Sequence, residues 1–471
     1  MLKKIIYTAI ALIFTLAANS QEMNNTLYFL RYSPQANSLN PAINPEAKVW
    51  GGIPGLTSIG LNYNNNSFSL SDLLVNTKTG DKPVKIDINN LYSSMAQNTT
   101  INMNNEIVLM SVGIKAKNQY FTLDIKHKNN ISFGFDKSII GFFKEGTVGY
   151  LGKSVEFGDT QMNALAYNEI AIGYSREIGK DKKLVIGGKL KAIMGVASVD
   201  MRDSQLSLSL ASDGMDATVR SKQDVRIGGP IRTKIGVDPN DFKVGDLEID
   251  DNAGPSAFMG TDNLGFGIDL GATYKVMDKV TLYASILDLG YIKWSNGTNV
   301  LMDADYLWKG INYTETIKDD NIDAMDQLSD DLEENFKLQK EDKSFTQMLP
   351  TKIYIGGQYE VKEWFTAGIL NRNQFYYGRL YSSLTLSGNV KAGRRLSASV
   401  SYSVVNNSYT NIGFGFTSQL GPLQLYMVTD NVLASNLTNA QLVNFRMGLN
   451  IRVGLPKKKI KKHMEPKINV L

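Results

Sequence analysis

The feature that most constrains the fold is the stretch from Val443 to Gly454, which reads VNFRMGLNIRVG. Every second residue is apolar, and the residues between them are polar or glycine. Such alternation is typical of a strand with one apolar and one hydrophilic face, because a helix would scatter these residues around its axis. Arg395–Val405 repeats the pattern with serines on the hydrophilic face. Alternating strands of about ten residues are those of a transmembrane β-barrel.

A soluble antiparallel sandwich alternates in the same way, so the strands alone leave that fold open. Soluble strands are typically about five or six residues long, and several segments of this chain are about twice that length. The connections separate the two folds. Alternate connections are tight, as at Met277–Lys279, Lys362–Glu363 and Gly421–Pro422, whereas most of the others are long, as at Asp72–Asn105 and Ser295–Thr351. Short periplasmic turns and long exterior loops are the asymmetry of an outer-membrane barrel.

The sequence therefore predicts an all-β, transmembrane antiparallel β-barrel over residues 57–454, with both termini on the periplasmic side. Period-two patterns predict about fourteen strands, within a range of twelve to sixteen. Ser204–Gly229 is either a hairpin within a loop or a further strand pair that would make sixteen.

The N-terminus predicts export. Lys3 and Lys4 precede an apolar stretch, and the small residues Ala18 and Ser20 fit cleavage before Gln21, so residues 1–20 are interpreted as a signal peptide. The chain has no cysteine, which excludes disulfides, thiolate metal sites and a lipoprotein anchor. The net charge is +4, and outside the C-terminal tail the basic residues are spread out, which argues against nucleic acid as a partner.

Three segments depart from the strand pattern. Residues 21–56 are rich in proline and glycine and also contain apolar residues, which favours a plug packed in the barrel lumen over a disordered leader. The plug candidates are Asn40, Pro41 and Trp50. Lys318–Lys340 has apolar residues at helical spacing among acidic ones and predicts a helix in an exterior loop. Residues 455–471 form a basic periplasmic tail, which either contacts an envelope component or is a solvated end.

By the same alternation, eight charged residues are predicted to face the lumen: Asp124, Lys126, Lys189, Lys191, Asp269, Lys352, Arg446 and Arg452. This set is either a selectivity lining or a structural ion-pair network, and the network is favoured. Glycines share that inner face at Gly265, Gly267, Gly271, Gly413 and Gly415. They either leave room for a luminal segment or permit strong curvature of the wall.

The sequence shows no arrangement of residues that is typical of a catalytic or metal-binding site. His127 and His463 have no companion at a useful spacing for a metal site or a Ser-His-Asp triad. The glycine pairs at Gly265 and Gly413 lie inside strands with no helix following, so they are not dinucleotide loops. We therefore expect no catalytic residue, no cofactor and no metal site.

Two stretches resemble an uncharacterised family of bacterial outer-membrane proteins: LYFLRYSPQANSLNPAINPEAKVWGGIPGL near the N-terminus, and NLGFGIDLGATYKV with the LYASILDLGYIKW that follows it. That family is similar to the long-chain fatty-acid transporter barrels and to the shuttle barrel of type IX secretion. The resemblance implies a barrel in the outer membrane and assigns no activity. Asn40-Pro41-Ala42 matches a luminal element of the broader group, and the last strand fits the recognition pattern of the barrel assembly machinery, apart from its missing terminal aromatic residue.

Three functions remain as hypotheses. The first is a passive conduit for hydrophobic or small solutes. The second is a docking or scaffold barrel associated with type IX secretion or envelope assembly, with an envelope or secretion protein as partner. A barrel-embedded hydrolase is the third and is disfavoured, because no nucleophile, base and orienting acid can be identified. Outer-membrane lipid and the barrel assembly machinery are the partners that the fold implies.

Overall fold

A computed structural model describes residues 23–73, 86–158, 160–214, 216–233, 247–249, 254–308, 337–376, 379–393, 395–405, 408–435 and 440–455. The signal peptide and the basic tail beyond residue 455 lie outside these ranges. So does the predicted exterior helix at Lys318–Lys340, apart from residues 337–340. Those four residues begin a strand, so the helix prediction is wrong there.

Antiparallel strands make up most of the described chain. In chain order they are β1 Val49–Gly52, β2 Ser58–Asn65, β3 Asn98–Ala116, β4 Gln119–Asp136, β5 Ser154–Glu156, β6 Thr160–Ile178, β7 Leu184–Leu210, β8 Ala217–Gly228, β9 Ile231–Thr233, β10 Leu247–Ile249, β11 Leu264–Met277, β12 Val280–Trp294, β13 Thr298–Trp308, β14 Lys337–Asp342, β15 Phe345–Met348, β16 Thr351–Lys362, β17 Phe365–Tyr376, β18 Arg379–Ala392, β19 Leu396–Val405, β20 Ser408–Leu420, β21 Leu423–Thr429 and β22 Leu442–Val453. The helices are α1 Asn25–Phe29, α2 Leu70–Leu73, α3 Ile88–Ser94, α4 Lys137–Glu145 and α5 Pro255–Met259, with 3-10 turns at Pro34–Ser38, Thr147–Tyr150 and Val432–Ser435. No helix among the described residues is both long and apolar enough to cross a membrane.

The strand pairing closes a ring. The short strands β1 and β2 together fill one position, because each pairs with β22 on one side and with β3 on the other. From β3 the pairing runs through β4, β6, β7, β11 and β12 to β16, and then strand by strand to β22. A closed antiparallel ring has no free edges, which excludes the soluble sandwich and confirms the predicted barrel.

Sixteen of the described strands have seven residues or more, the upper end of the predicted range. Fourteen strand positions form the closed ring, as the periodicity predicted. The other two long strands, β8 and β13, belong to the same sheet but pair with the end of β7 and with each other. These two arise at a fork in β7. Residues 184–194 of β7 pair with β11, whereas residues 198–210 pair with β8. A cavity of about 550 Å³ lies at this fork and is lined by Asn263, Ser295, Thr298 and neighbouring residues.

The two faces of the wall differ as the alternation predicted. Large apolar side chains are exposed on the outer face, among them Leu61, Phe121, Ile172, Leu270 and Val400. Polar and charged side chains alternate with them and are buried inside. Exposing the outer face to water would cost about 25 cal/mol of free energy for each square ångström of apolar surface, so the outer face is suited to contact with lipid.

Candidate functional site in the barrel lumen

Residues 23–47, called the plug below, lie inside the ring and are largely buried. Helix α1 is followed by the 3-10 turn at Pro34–Ser38, where proline supplies the φ angle that such a turn needs. The apolar side chains of the plug form one core with inward side chains of the wall, namely Leu27, Tyr28, Phe29, Leu30, Ala36, Leu39 and Ile43 with Tyr283, Leu287, Tyr354, Leu370, Tyr426 and Val428. Tyr28 stacks on Tyr354 with ring centroids 5.4 Å apart. The plug therefore contacts an aromatic and aliphatic wall.

The predicted plug residues fall into two groups. Asn40 is fully buried; its amide donates to Tyr28 OH at 3.1 Å and to the carbonyl of Ala284 at 3.2 Å, and its own oxygen accepts the amide N–H of Ala42 at 2.9 Å. Pro41 is buried beside it. Trp50 belongs to the wall, so the expectation that residues 21–56 contain no strand is wrong at Val49–Gly52. Its buried side chain faces inward and donates a hydrogen bond to Tyr120.

One half of the lumen wall binds the plug through hydroxyl groups. We call this the hydroxyl half; its buried inward residues on β18–β20 are Ser383, Thr385, Ser387, Ser397, Ser399, Ser401, Ser403 and Thr417. The side-chain amide of Asn25 donates to Ser383 Oγ at 3.0 Å and to Thr385 Oγ1 at 2.9 Å. Thr26 Oγ1 lies 2.7 Å from Ser401 Oγ. These contacts are all between neutral groups.

A single buried carboxylate anchors the start of α1. Asp430 accepts the backbone N–H of Thr26 at 2.7 Å and of Asn25 at 3.3 Å. The same carboxylate also accepts a hydrogen bond from the side-chain amide of Asn444, a wall residue, at 2.7 Å. The first N–H groups of a helix have no partner within the helix. This carboxylate accepts hydrogen bonds from two of them, which would otherwise be buried without an acceptor.

Inward glycines make room for the plug at three of the five predicted positions. A Cβ added at Gly413 would overlap Thr26 Oγ1, and one at Gly271 would overlap Asn40 Oδ1. At Gly415 the added atom would lie 2.7 Å from Leu30 Cδ1. Gly265 and Gly267 instead face neighbouring wall strands: an added Cβ would overlap the Tyr291 carbonyl at the first, and would lie 3.3 Å from a side-chain atom of β7 at the second.

The other half of the wall carries a network of buried ion pairs, called the charged cluster below. Its members come from eight ring strands and are Glu106, Asp124, Lys126, Lys128, Glu169, Lys189, Lys191, Asp269, Asp288, Lys352 and Arg446, with side chains at most 11% exposed. Lys191 Nζ lies 2.5 Å from Asp288 and 2.7 Å from Asp269, and Lys189 Nζ lies 2.7 Å from Asp124. Cations and anions therefore neutralise one another across strands.

Asp288 reaches this cluster because β12 contains a β-bulge. Ile268 pairs with Leu289 and Leu270 with Ile286, so Asp269 lies opposite two residues, Leu287 and Asp288. Asp288 has φ 57°, a left-handed conformation that aspartate tolerates better than most residues. Both bulge residues consequently point inward: Leu287 joins the plug core, while Asp288 lies 3.4 Å from Lys128 and 3.2 Å from Lys352.

All eight residues predicted to face the lumen are buried on the inner side of the wall, and seven of them belong to the charged cluster. Arg452 lies apart from it and donates to Gln419 Oε1 at 3.3 Å. The sequence reasoning missed Glu106, Lys128, Glu169 and Asp288. Taking every second residue from Lys126 would have identified Lys128 as inward-facing. Asp288 could not be identified in this way, because the bulge interrupts the alternation of β12.

Toward the end of the barrel opposite the tight turns, a second apolar cluster occupies the lumen and consists of Leu165, Tyr167, Ile193, Ile292, Trp294 and Leu349. Trp294 is fully buried and donates from Nε1 to Gln347 Oε1 at 2.9 Å. Within the described ranges there is no group of three or more His, Asp or Glu side chains that could hold a metal ion. The lumen of this state is thus filled by the plug, the charged cluster and this apolar cluster.

Solved structures similar to this chain include the toluene transporter TbuX of Ralstonia pickettii, with 10% identity, a TM-score of 0.42 and coverage of 89% of this chain and 93% of that one. A FadL homologue of Pseudomonas aeruginosa has 10% identity, a TM-score of 0.41 and coverage of 93% and 100%, respectively. The P. putida toluene transporter TodX has 10% identity, a TM-score of 0.37 and coverage of 88% and 90%. No curated protein matches the sequence.

The resemblance found in the sequence is confirmed at the level of the family. The matching profile is that of a family of unknown function, DUF5723, and it covers residues 41–430, which is most of the chain. This protein therefore belongs to the DUF5723 family.

Proposed function

We propose that this chain is an outer-membrane barrel that serves as a passive conduit for small, largely apolar solutes, and that the plug closes it in the state described above. The observation that carries the proposal is the apolar contact between plug and wall. A solute that takes the place of the plug's side chains meets Tyr283, Tyr354, Leu370, Tyr426 and Val428. Such a surface favours apolar over strongly hydrated solutes.

The bonds between the plug and the hydroxyl half support movement, although Asp430, Arg446 and Lys391 also hold the plug through a charged group. The plug's contacts with the hydroxyl half join neutral groups, and each contributes only about 0.5–1.5 kcal/mol because water can replace the partner. A cleft of about 340 Å³ already opens beside the plug at the periplasmic end, between Phe29, Ile43, Trp364 and Val390. The charged cluster joins wall strands to one another, so the plug can move while most of the cluster stays in place.

A reversible lock tests the proposal. Thr26 Oγ1 and Ser401 Oγ are 2.7 Å apart, and the chain has no cysteine, so Thr26→Cys with Ser401→Cys introduces one defined disulfide between plug and wall. In liposomes, the oxidised double variant is expected to pass a small aromatic solute more slowly than the wild type, and reductant should restore the rate. The single variant Ser401→Cys, treated identically, is the control. Equal rates before and after oxidation would show that the plug does not gate passage.

Removal of the plug is the complementary experiment. Deletion of Gln21–Pro45 is expected to leave a folded, heat-modifiable barrel with raised permeability, and more so for a small aromatic than for a sugar of similar size. The comparison between solutes tests the apolar preference independently of gating. Fractionation of the native envelope tests the proposed outer-membrane location.

The docking hypothesis rests on the exterior loops and the basic tail, much of which lies outside the described residues. No described contact favours it. Co-purification of a stoichiometric envelope protein with the native barrel in mild detergent would support it.

A further inference from the structure

Two lysines on the exterior side of the barrel converge on one aromatic ring. Lys137 Nζ and Lys144 Nζ, both on α4, lie 4.4 Å and 4.5 Å from the ring centroid of Tyr92 on α3. The two ammonium groups are therefore no farther apart than these two distances combined. Gly141 lies between them on the same helix face and leaves room for the ring, since a Cβ added there would be 3.1 Å from Tyr92 Cε2.

Among the described residues, neither of these cations has a carboxylate oxygen within ion-pair distance, and the carboxylate of Glu145, which follows Lys144, is hydrogen-bonded to Tyr150. Lys137 donates to the Met95 carbonyl at 3.1 Å. The neighbouring Asp136 is engaged elsewhere: it caps α4 through the backbone N–H of Ser138 at 2.8 Å and accepts from Gln97 at 2.9 Å. The ring attracts each cation, but the two cations repel each other, so an anion within reach of both would lower the energy.

Apolar side chains adjoin the lysines. Phe133 is exposed on the outer face of β4, just before α4 begins, so the lipid-facing wall leads directly to the helix. Phe143 is 68% exposed and Val148 is 77% exposed, whereas Phe142 packs on Phe157 with ring centroids 5.5 Å apart. Lysines beside large exposed apolar residues on one short helix are typical of elements that lie at a membrane surface.

We propose that α3, α4 and the turn after α4 form a binding site for a phosphate-bearing lipid of the exterior leaflet. The phosphate lies beside the Tyr92 ring within reach of both Lys137 and Lys144, where it neutralises both ammonium groups, and the acyl chains run along Phe143 and Val148 to the outer face of β4. The site is separate from the lumen and does not depend on the plug.

Native mass spectrometry of the full-length protein in detergent tests this site. The protein is titrated with phosphatidic acid and, in parallel, with phosphatidylcholine of the same acyl chains. Lys137→Gln with Lys144→Gln is expected to lower the retention of phosphatidic acid about thirtyfold, since each of the two lysines near an anionic headgroup contributes on the order of 1 kcal/mol. The matched control is Lys222→Gln with Lys340→Gln, which removes two exposed exterior lysines and should leave retention unchanged.

Three results would overturn the proposal: undiminished retention in the first double variant, an equal loss in the control, or displacement of the lipid by inorganic phosphate at equal concentration. The last would identify a site for free phosphate. If the double glutamine variant does not give a heat-modifiable barrel, Phe143→Ala decides the matter, because it keeps both charges. It is expected to lower retention of phosphatidic acid, and unchanged retention would contradict the acyl-chain contact.

Discussion

The two halves of the lumen wall are built from different bonds. The charged half joins strands through ion pairs such as Lys191–Asp288, whereas the hydroxyl half contacts the plug through neutral groups such as Ser401 and Thr26. A buried ion that loses its partner is destabilising by about 3–5 kcal/mol, but a neutral hydrogen bond can be exchanged with water at small cost. The charged half is therefore suited to fixing the wall, and the hydroxyl half to releasing a movable segment.

The largest expected effect comes from Asp288→Asn. This substitution removes the negative charge shared by Lys128, Lys191 and Lys352, so the barrel should lose about 3–5 kcal/mol of stability. The measurement is urea unfolding in detergent, followed by the loss of heat-modifiable migration. Asp305→Asn is the control, because its pair with Arg220 is about two-thirds exposed and should contribute at most about 1 kcal/mol. If both variants unfold alike, the charged cluster does not fix the wall.

Asp430→Ala should rank next and should act on the plug. It leaves the backbone N–H groups of Asn25 and Thr26 without their acceptor, which destabilises the plug's position by about 1–3 kcal/mol. We expect faster solute flux in liposomes and faster periplasmic proteolysis near α1, with the barrel still heat-modifiable. A barrel that unfolds without any gain in flux would place Asp430 among the wall-fixing groups instead.

A glycine substitution probes the fit between plug and hydroxyl half. Gly413→Ala places a methyl group against Thr26 and Ser401, and such overpacking is typically destabilising by about 1–3 kcal/mol. Because the plug is the movable partner, the expected result is raised permeability. Gly134→Ala is the matched control: its added Cβ would have no neighbour closer than 3.8 Å. Equal permeability in the two variants would contradict a close fit at this position.

The smallest effect is expected from a double-mutant cycle between Thr26→Val and Ser401→Ala. The two hydroxyls share one neutral hydrogen bond, so their coupling free energy should be about 0.5–1.5 kcal/mol. The same cycle on Lys191 and Asp288, measured by urea unfolding, should give a larger coupling. Similar values would remove the distinction between the two halves.

Alternation by itself determined the face of the wall on which most residues lie. Because side chains in a strand alternate strictly, Lys189 and Asp269 could be assigned to the lumen without any knowledge of their partners. The same rule fails at a bulge. Leu287 and Asp288 are neighbours in sequence and both point inward, which the strand pattern does not reveal.

Local sequence also set limits on the plug. The prolines and asparagines of residues 23–47 predict irregular backbone, and the apolar residues among them indicate burial. Yet Val49–Gly52 is a wall strand, because β22 and β3 offer unpaired backbone groups at that position. The sequence of residues 49–52 does not show that these distant strands are available for pairing.

What the sequence alone determined is the periodic part of this protein: a barrel with an apolar outer face and a polar lumen. Tertiary structure decided which charges meet, which glycines face the plug and how Asp288 enters the cluster. The reason is physical: periodicity is a property of neighbouring residues, whereas an ion pair such as Glu106–Arg446 joins β3 and β22, which come together only when the ring closes.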